Sequence, residues 1–144
     1  MTAIKTFCHL TVQDKALAVE AANWLLLTRL AVILLPYRYL RKMLGRPQVV
    51  ATCPEIDEQV VRRIGWMIRR VAPRMPIKCT CVPQALSAKY MLKHRGINST
   101  LYLGLGNSET RGTMGHAWLK VNQITVTGGR GNDKLALMGY FASD

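Results

Sequence analysis

The spacing of hydrophobic residues changes once along this chain, at Gly96. Before Gly96, apolar residues recur at helical spacing, which predicts four helices, over 14–35, 37–44, 55–71 and 82–95. After it, alternation predicts strands over 99–104, 117–121, 124–127 and 135–141. A run of helices followed by a run of strands is typical of an α+β fold. We expect a helical N-terminal half packed on a small antiparallel sheet.

Local signals predict how these elements begin, end and connect. Asp14 is the expected N-cap of the first helix, and Gly96 the residue that ends the last one. Asn122 and Gln123 are expected to form a two-residue hairpin turn. A short extended piece is expected over 48–51, and the polar run 107–115 is expected to be a loop.

Length and charge limit the class of protein. With 144 residues, 49% of them hydrophobic, the chain is expected to be one domain over 1–144, not a disordered segment. The expected parts are a helical N-terminal part, 1–47, and a catalytic part, 55–144. Twenty Lys and Arg against eight Asp and Glu favour an acidic partner or an anionic membrane surface, or simply a basic solvated face. The basic residues are scattered and no groove-reading motif is present, so a nucleic-acid partner is not expected.

The four cysteines indicate a reducing compartment. Cys8, Cys53, Cys79 and Cys81 are irregularly spaced, and the first ten residues lack the apolar core of a signal peptide. We therefore expect free thiols in a cytoplasmic protein. Only a free thiol can act as a nucleophile.

The first helix raises the question of a membrane. Its most apolar run, 24–35, is only about 12 residues long against the roughly 20 needed to span a bilayer, and it contains Arg29. A helix packed on the protein core is expected. An interfacial position, peripheral to the inner face of the membrane, is the alternative, because four basic residues follow: Arg38, Arg41, Lys42 and Arg46.

Cys81 and His116 could form a nucleophile and its base. Cys81 stands at the start of a predicted helix, where unpaired backbone N–H groups and the helix dipole stabilise a thiolate. The same N–H groups can bind the oxyanion of a tetrahedral intermediate. His116 heads a predicted strand and is the expected general base. Composition and spacing equally allow a small buried cysteine and a polar residue at a strand end.

Two other interpretations of these residues are weaker. Cys79 and Cys81 could bind zinc with His94 or His116, but a C-x-C pair is not the usual C-x₂₋₄-C spacing. His94 lies in the last turn of its predicted helix, where a cation suits the dipole. A capping role is expected for it.

Several segments together resemble a known family. The segments 81–86 (CVPQAL), 90–97 (YMLKHRGI), 101–104 (LYLG) and 115–118 (GHAW), in this order, resemble the transglutaminase-like cysteine peptidases of lasso-peptide biosynthesis. The similarity extends upstream through LPYRYL and LGR at 35–46, so it covers nearly the whole chain.

The resemblance implies a papain/transglutaminase-like fold and a defined activity. It implies removal of the leader from a ribosomally made precursor peptide, with Cys81 as nucleophile and His116 as general base, and with neither a metal nor an organic cofactor. Its implied partners are the leader, a small leader-recognition protein and an ATP-dependent lasso cyclase. A membrane surface or exporter is a further expected contact. The alternatives are an acyltransferase using the same two residues and a non-catalytic basic binding module.

One position departs from the family pattern. Family members usually carry an acidic residue about a dozen positions after the histidine, and this chain has none in that window. A simple hairpin would place Gly129 opposite His116 and Thr127 diagonal to it. The candidates for the third member are therefore Asp133, Thr127 or a backbone carbonyl, unless the chain has none.

Overall fold

The computed structural model describes residues 10–108, 112–129 and 135–143. The elements, in chain order, are α1 (Val12–Leu34), α2 (Tyr37–Leu44), β1 (Arg46–Pro47), α3 (Glu58–Val71), α4 (Cys81–Lys93), β2 (Thr100–Ser108), β3 (Gly112–Val121), β4 (Ile124–Thr127) and β5 (Ala136–Ala142). A 3₁₀ turn over Ala72–Arg74 follows α3. The predicted α+β architecture is confirmed.

Side-chain caps start two of the helices. Thr11 caps α1 by accepting a hydrogen bond from the backbone N–H of Asp14. The prediction that Asp14 is the cap was wrong, because its carboxylate instead binds Arg63 of α3. That hydrogen bond holds the pKa of Asp14 below its usual value. Asp57 caps α3 by accepting from the N–H groups of Gln59 and Val60.

α4 is the central helix of the fold. Eight of its thirteen residues are buried, and α1, α3, β3 and β4 all pack against it. Gly96 follows it at φ +70°, a left-handed conformation that suits glycine, and the N–H of Ile97 returns to the carbonyl of Leu92. The prediction of a helix that ends at Gly96 is confirmed.

The sheet has five strands in the order β1-β5-β2-β3-β4, with antiparallel pairs throughout. Two local predictions were wrong. The run 107–115 is not simply a loop, because β2 continues through Ser108 and β3 begins at Gly112. Strand β1 is Arg46–Pro47, not 48–51, because these two residues pair with the end of β5 and the chain then turns at Gln48, which adopts φ +59°.

The turn between β3 and β4 was predicted, but the register beyond it was not. Asn122 adopts φ +50° in the expected two-residue turn. Lys120 then pairs with Thr125 while Leu119 pairs with Thr127, so β4 holds one extra residue, Val126. This bulge shifts all residues after it by one position relative to a regular hairpin.

α1 packs on the core as predicted. Its inner face buries five residues: Leu17, Ala18, Ala21, Leu25 and Thr28. The hydroxyl of Thr28 lies 2.9 Å from that of Ser87 and donates to the carbonyl of Pro83, both in α4. By length and composition alone, with 23 residues and a mean hydropathy of 1.7, α1 could also cross a membrane.

Candidate active site

Cys81 is the first residue of α4. Its side chain is partly exposed, and the N-cap residue before it, Thr80, makes no side-chain capping hydrogen bond. The N–H groups of the first turn therefore have no side-chain cap. Gln84 stabilises the approach to this turn, because its side-chain amide donates to the carbonyl of Cys79 at 2.9 Å. The helix tip thus presents a thiol beside backbone donors, as the sequence predicts.

Cys79, two residues earlier, has a different environment. It is buried, with Sγ 3.4 Å from the carbonyl oxygen of Ile77 and 3.9 Å from that of Leu25 in α1. Burial raises the pKa of the Cys79 thiol, because a thiolate there would lose its hydration. Cys79 therefore packs as a neutral side chain, and the sequence alone did not distinguish it from Cys81.

His116 lies on β3, where it pairs with Gly104 of β2. Its half-buried ring stacks on Trp118, with ring centroids 6.0 Å apart, and its Nε2 lies 2.9 Å from the carbonyl oxygen of Gly128. A carbonyl can only accept a hydrogen bond, so Nε2 must carry the proton. In the neutral ring, Nδ1 is then unprotonated and can accept a proton. This is the tautomer that a general base requires.

Gly128 directly follows β4, just past the bulge. The guanidinium of Arg69 donates to the carbonyl of Val126 at 2.9 Å and so ties the bulge to α3. Gly128 adopts φ +68°, and a Cβ there would lie 2.5 Å from the carbonyl oxygen of Ala117 and 3.1 Å from Nε2 of His116. Only glycine fits this position without displacing the histidine.

The other candidate that the structure describes, Thr127, makes no hydrogen bond to His116. Thr127 is buried opposite Leu119, and its Oγ1 has no hydrogen-bond partner among the described residues. Asp133 lies outside the described residues, so its role stays a prediction. The backbone carbonyl that the sequence left open belongs to Gly128. The hairpin register pointed to Gly129 because it treats the strand as continuing, whereas β4 ends at Thr127 and Gly128 adopts φ +68°.

The fold places the two candidate catalytic residues on neighbouring elements. α4, headed by Cys81, packs on β3, which carries His116. No hydrogen bond joins the thiol to the imidazole in the part of the chain the structure describes. Catalytic hydrogen bonds often tighten only when substrate binds. The arrangement offers a thiol, a correctly protonated imidazole and backbone donors for an oxyanion.

The zinc alternative has no donor cluster to support it. Within the described ranges, no three His, Cys, Asp or Glu side chains lie close enough together to hold a metal ion. His94 is the C-cap of α4 and lies edge-on to Trp24, with ring centroids 5.5 Å apart. That position agrees with the predicted capping role.

Comparison with known proteins gives one match. The family model for the transglutaminase-like superfamily matches residues 22–138, which include α4 and the strand that carries His116. No curated protein and no solved structure matches the chain. The superfamily includes cysteine peptidases and acyltransferases. Because the match covers most of the chain, this protein belongs to the transglutaminase-like superfamily.

Proposed function

We propose that this protein is a cysteine peptidase that removes the leader from a ribosomally made lasso-peptide precursor. The observation that carries the proposal is the hydrogen bond from Nε2 of His116 to Gly128, which leaves Nδ1 available as a base beside the helix that Cys81 heads. Membership of the superfamily supports the chemistry. The choice of substrate rests on the motif resemblance.

Acylation is the first half of the reaction. Nδ1 of His116 takes the proton of the Cys81 thiol, and the thiolate attacks the scissile carbonyl carbon. The negative charge passes to the carbonyl oxygen, where the N–H of Cys81 stabilises it. As the tetrahedral intermediate collapses, the imidazolium gives its proton to the leaving amine. The C–N bond breaks, and a thioester on Cys81 remains.

Deacylation completes the cycle. Nδ1 of His116 takes a proton from water, and the oxygen attacks the thioester carbonyl. The C–S bond breaks, the thiol is restored, and the leader leaves with a free carboxylate. The Gly128 carbonyl stabilises the imidazolium in each half, because it accepts the Nε2 proton throughout. It does so with a partial charge, so less strongly than a carboxylate would.

The net charge of +12 supports a substrate with acidic residues. A strongly basic protein attracts acidic peptides at long range and accelerates their association. A leader carrying Asp or Glu, presented by a small recognition protein, fits this charge. The ATP-dependent cyclase would then receive the freed amine.

The test incubates the precursor and the recognition protein with wild type, Cys81→Ala and the matched variant Cys53→Ala. Cys53 is another partly buried free cysteine, and its thiol donates a hydrogen bond to the carbonyl of Glu55. We expect leader release, followed by mass spectrometry, with wild type and Cys53→Ala. With Cys81→Ala, release should fall at least about 10⁴-fold. Equal release by both alanine variants would overturn the assignment of the nucleophile.

The same experiment addresses the acyltransferase alternative. An added primary amine competes with water for the thioester. If the leader is recovered only as its amide and never as the free acid, the site transfers acyl groups and the peptidase proposal is wrong. Free acid as the main product, with added amine present, supports hydrolysis.

A further inference from the structure

The outward face of α1 is apolar along its second half. A surface helix normally carries polar residues on the side away from the core. Here the outward residues are large and hydrophobic, with Leu27 exposed at 57%, Ile33 at 56% and Leu34 at 72%. Leu26 and Leu30 lie on the same face, and the exposed Leu35 directly follows the helix. We call these six residues the apolar face.

The opposite face of α1 cannot enter lipid without dismantling the protein. Leu25 is fully buried, and Thr28, at 1% exposure, is hydrogen-bonded to α4. A helix that crossed a bilayer would have to leave these contacts and expose the core of the domain. The length and hydropathy of α1 therefore fit a helix that packs on the protein core with one face and contacts another apolar surface with the opposite face.

A cationic and aromatic cluster continues the apolar face. Tyr37, exposed at 74%, begins α2, and Arg38, Arg41 and Lys42 are exposed around the same short helix. Arg38 and Lys42 both lie over the ring of Tyr39, with the guanidinium carbon 4.8 Å and the amine 5.9 Å from its centroid. We call these five residues the basic cluster. Four of them, all except Tyr39, line most of a shallow depression of about 430 Å³ beside Gly45 and Pro47.

The basic cluster is held rigidly against the core. Lys89 of α4 is buried, and its amine donates to the carbonyls of Met43 and Leu44 at 2.7 and 2.5 Å. These are the last carbonyls of α2, which a cation stabilises. These hydrogen bonds hold α2 against α4, and α1 also packs on α4. The apolar face and the basic cluster therefore keep a fixed position relative to each other.

From this surface, we propose that the protein docks on an anionic lipid bilayer through the apolar face and the basic cluster. Leucine and isoleucine side chains would enter the acyl boundary, tyrosines would lie at the headgroup level, and the three cations would bind lipid phosphates. The basic cluster argues against a second copy of this chain as the occupant, because a two-fold contact over the whole surface would set it against the other copy's basic cluster or against that copy's apolar face, and neither neutralises it. An anionic surface instead neutralises them.

Docking in this way leaves the candidate active site accessible. The first turns of α4 contact α1 from its buried side, through Thr28 and the carbonyl of Pro83. The bilayer would contact the opposite side of the same helix. A peptide could therefore reach Cys81 while the protein is bound to the membrane, and the proposal does not depend on which reaction Cys81 performs.

The experiment measures binding of the full chain to vesicles by co-sedimentation. Vesicles of phosphatidylcholine alone are compared with vesicles containing phosphatidylglycerol, each at low and at physiological salt. Wild type should bind only the anionic vesicles, more weakly as salt rises. Arg38→Gln with Arg41→Gln should weaken binding about 25-fold, at about 1 kcal/mol per cation. Leu27→Gln with Leu34→Gln should weaken it by at least about 25-fold.

Two matched double variants serve as controls. Arg62→Gln with Lys120→Gln removes the same charge from α3 and β3. Leu137→Gln with Met138→Gln removes two exposed apolar side chains, at 51% and 63% exposure, from β5. Both controls should bind anionic vesicles nearly as well as wild type. Circular dichroism checks that every variant is folded.

Four results would overturn the proposal. One is that wild type does not bind anionic vesicles. Another is that the variants of the apolar face and the basic cluster weaken binding no more than their control variants do. A dimer in solution that Leu27→Gln with Leu34→Gln dissociates would show that a second copy occupies the face. Retention on the bilayer after an alkaline, high-salt wash would mean that α1 spans it.

Discussion

The two halves of the candidate site are held in different ways. Cys81 depends on one short segment, because the helix that it starts supplies the backbone donors beside it. His116 depends on four separate segments: its own strand, the β2 partner Gly104, the carbonyl of Gly128, and α3, whose Arg69 holds the bulge. The nucleophile is therefore a local feature of the chain, whereas the base is a tertiary one.

This difference predicts where the site is vulnerable. A substitution near Cys81 should alter the thiol directly or have little effect. A substitution remote from His116 in sequence should still alter the proton position on its ring, provided that it moves Gly128. The observed hydrogen-bond partner of the His116 ring is a backbone atom, so no side-chain deletion can remove it, and only backbone displacement tests it.

Among variants that retain both Cys81 and His116, the largest effect is expected from Gly128→Ala. The new Cβ would lie 2.5 Å from the carbonyl oxygen of Ala117, so the backbone must shift and the hydrogen bond to His116 must lengthen. We expect kcat/KM for peptide cleavage to fall about 100-fold, which is a typical cost of about 1 Å of misplacement. Steady-state kinetics measure it.

Gly96→Ala is the matched control for Gly128→Ala. Gly96 has nearly the same φ, +70°, but a Cβ there meets nothing within 4 Å. Alanine at position 96 therefore carries the strain of a left-handed conformation, about 1–2 kcal/mol, without contacting the candidate site. If both variants lose the same activity, the Gly128 carbonyl does not position His116.

A smaller effect is expected from Gly65→Ala in α3. Its Cβ would lie 2.4 Å from the carbonyl oxygen of Val126, the atom that Arg69 also contacts. Overpacking should lower the free energy of unfolding by about 1–3 kcal/mol, which outweighs the helix preference for alanine of about 1 kcal/mol. Urea denaturation measures the stability, and kcat/KM of the folded protein shows whether His116 has moved. A stabilised variant with unchanged kcat/KM would show that the bulge tolerates displacement.

The smallest effect on activity is expected at Cys79. Burial raises the pKa of its thiol, so at any given pH less of it is thiolate than in an exposed cysteine. Alkylation of Cys79 by iodoacetamide should therefore be slow near neutral pH and increase only as the pH rises beyond the ordinary thiol range. Peptide mapping should find Cys81 modified first. Cys79→Ala should cost about 1 kcal/mol of stability and leave cleavage intact.

The opposite order of alkylation would contradict this difference between Cys81 and Cys79. If Cys79 were alkylated before Cys81, the thiolate would not lie at the helix tip. Loss of cleavage in Cys79→Ala, with the fold intact by circular dichroism, would give Cys79 a part in the reaction that its burial does not suggest.

Much of the fold could be predicted from local patterns. Hydrophobic spacing predicted the four helices, and Asn122 predicted the tight turn between β3 and β4, because these signals act within a few residues. The extension of β2 and β3 through the polar run was not predictable. Residues such as Asn107 and Thr113 pair through their backbones, and the cross-strand hydrogen bonds outweigh weak strand preferences.

The sequence by itself determined the α+β order and the helix that follows Cys81, and it gave His116 as the predicted base. Each depends on residues close together in the chain or on a motif that can be read directly. Only the tertiary structure decided that the partner of His116 is a backbone carbonyl, that Cys79 is buried and that the outer face of α1 is apolar. Those features arise from packing between segments distant in sequence. A bulge, a close glycine contact and a helix with two apolar faces leave no periodic signal of their own.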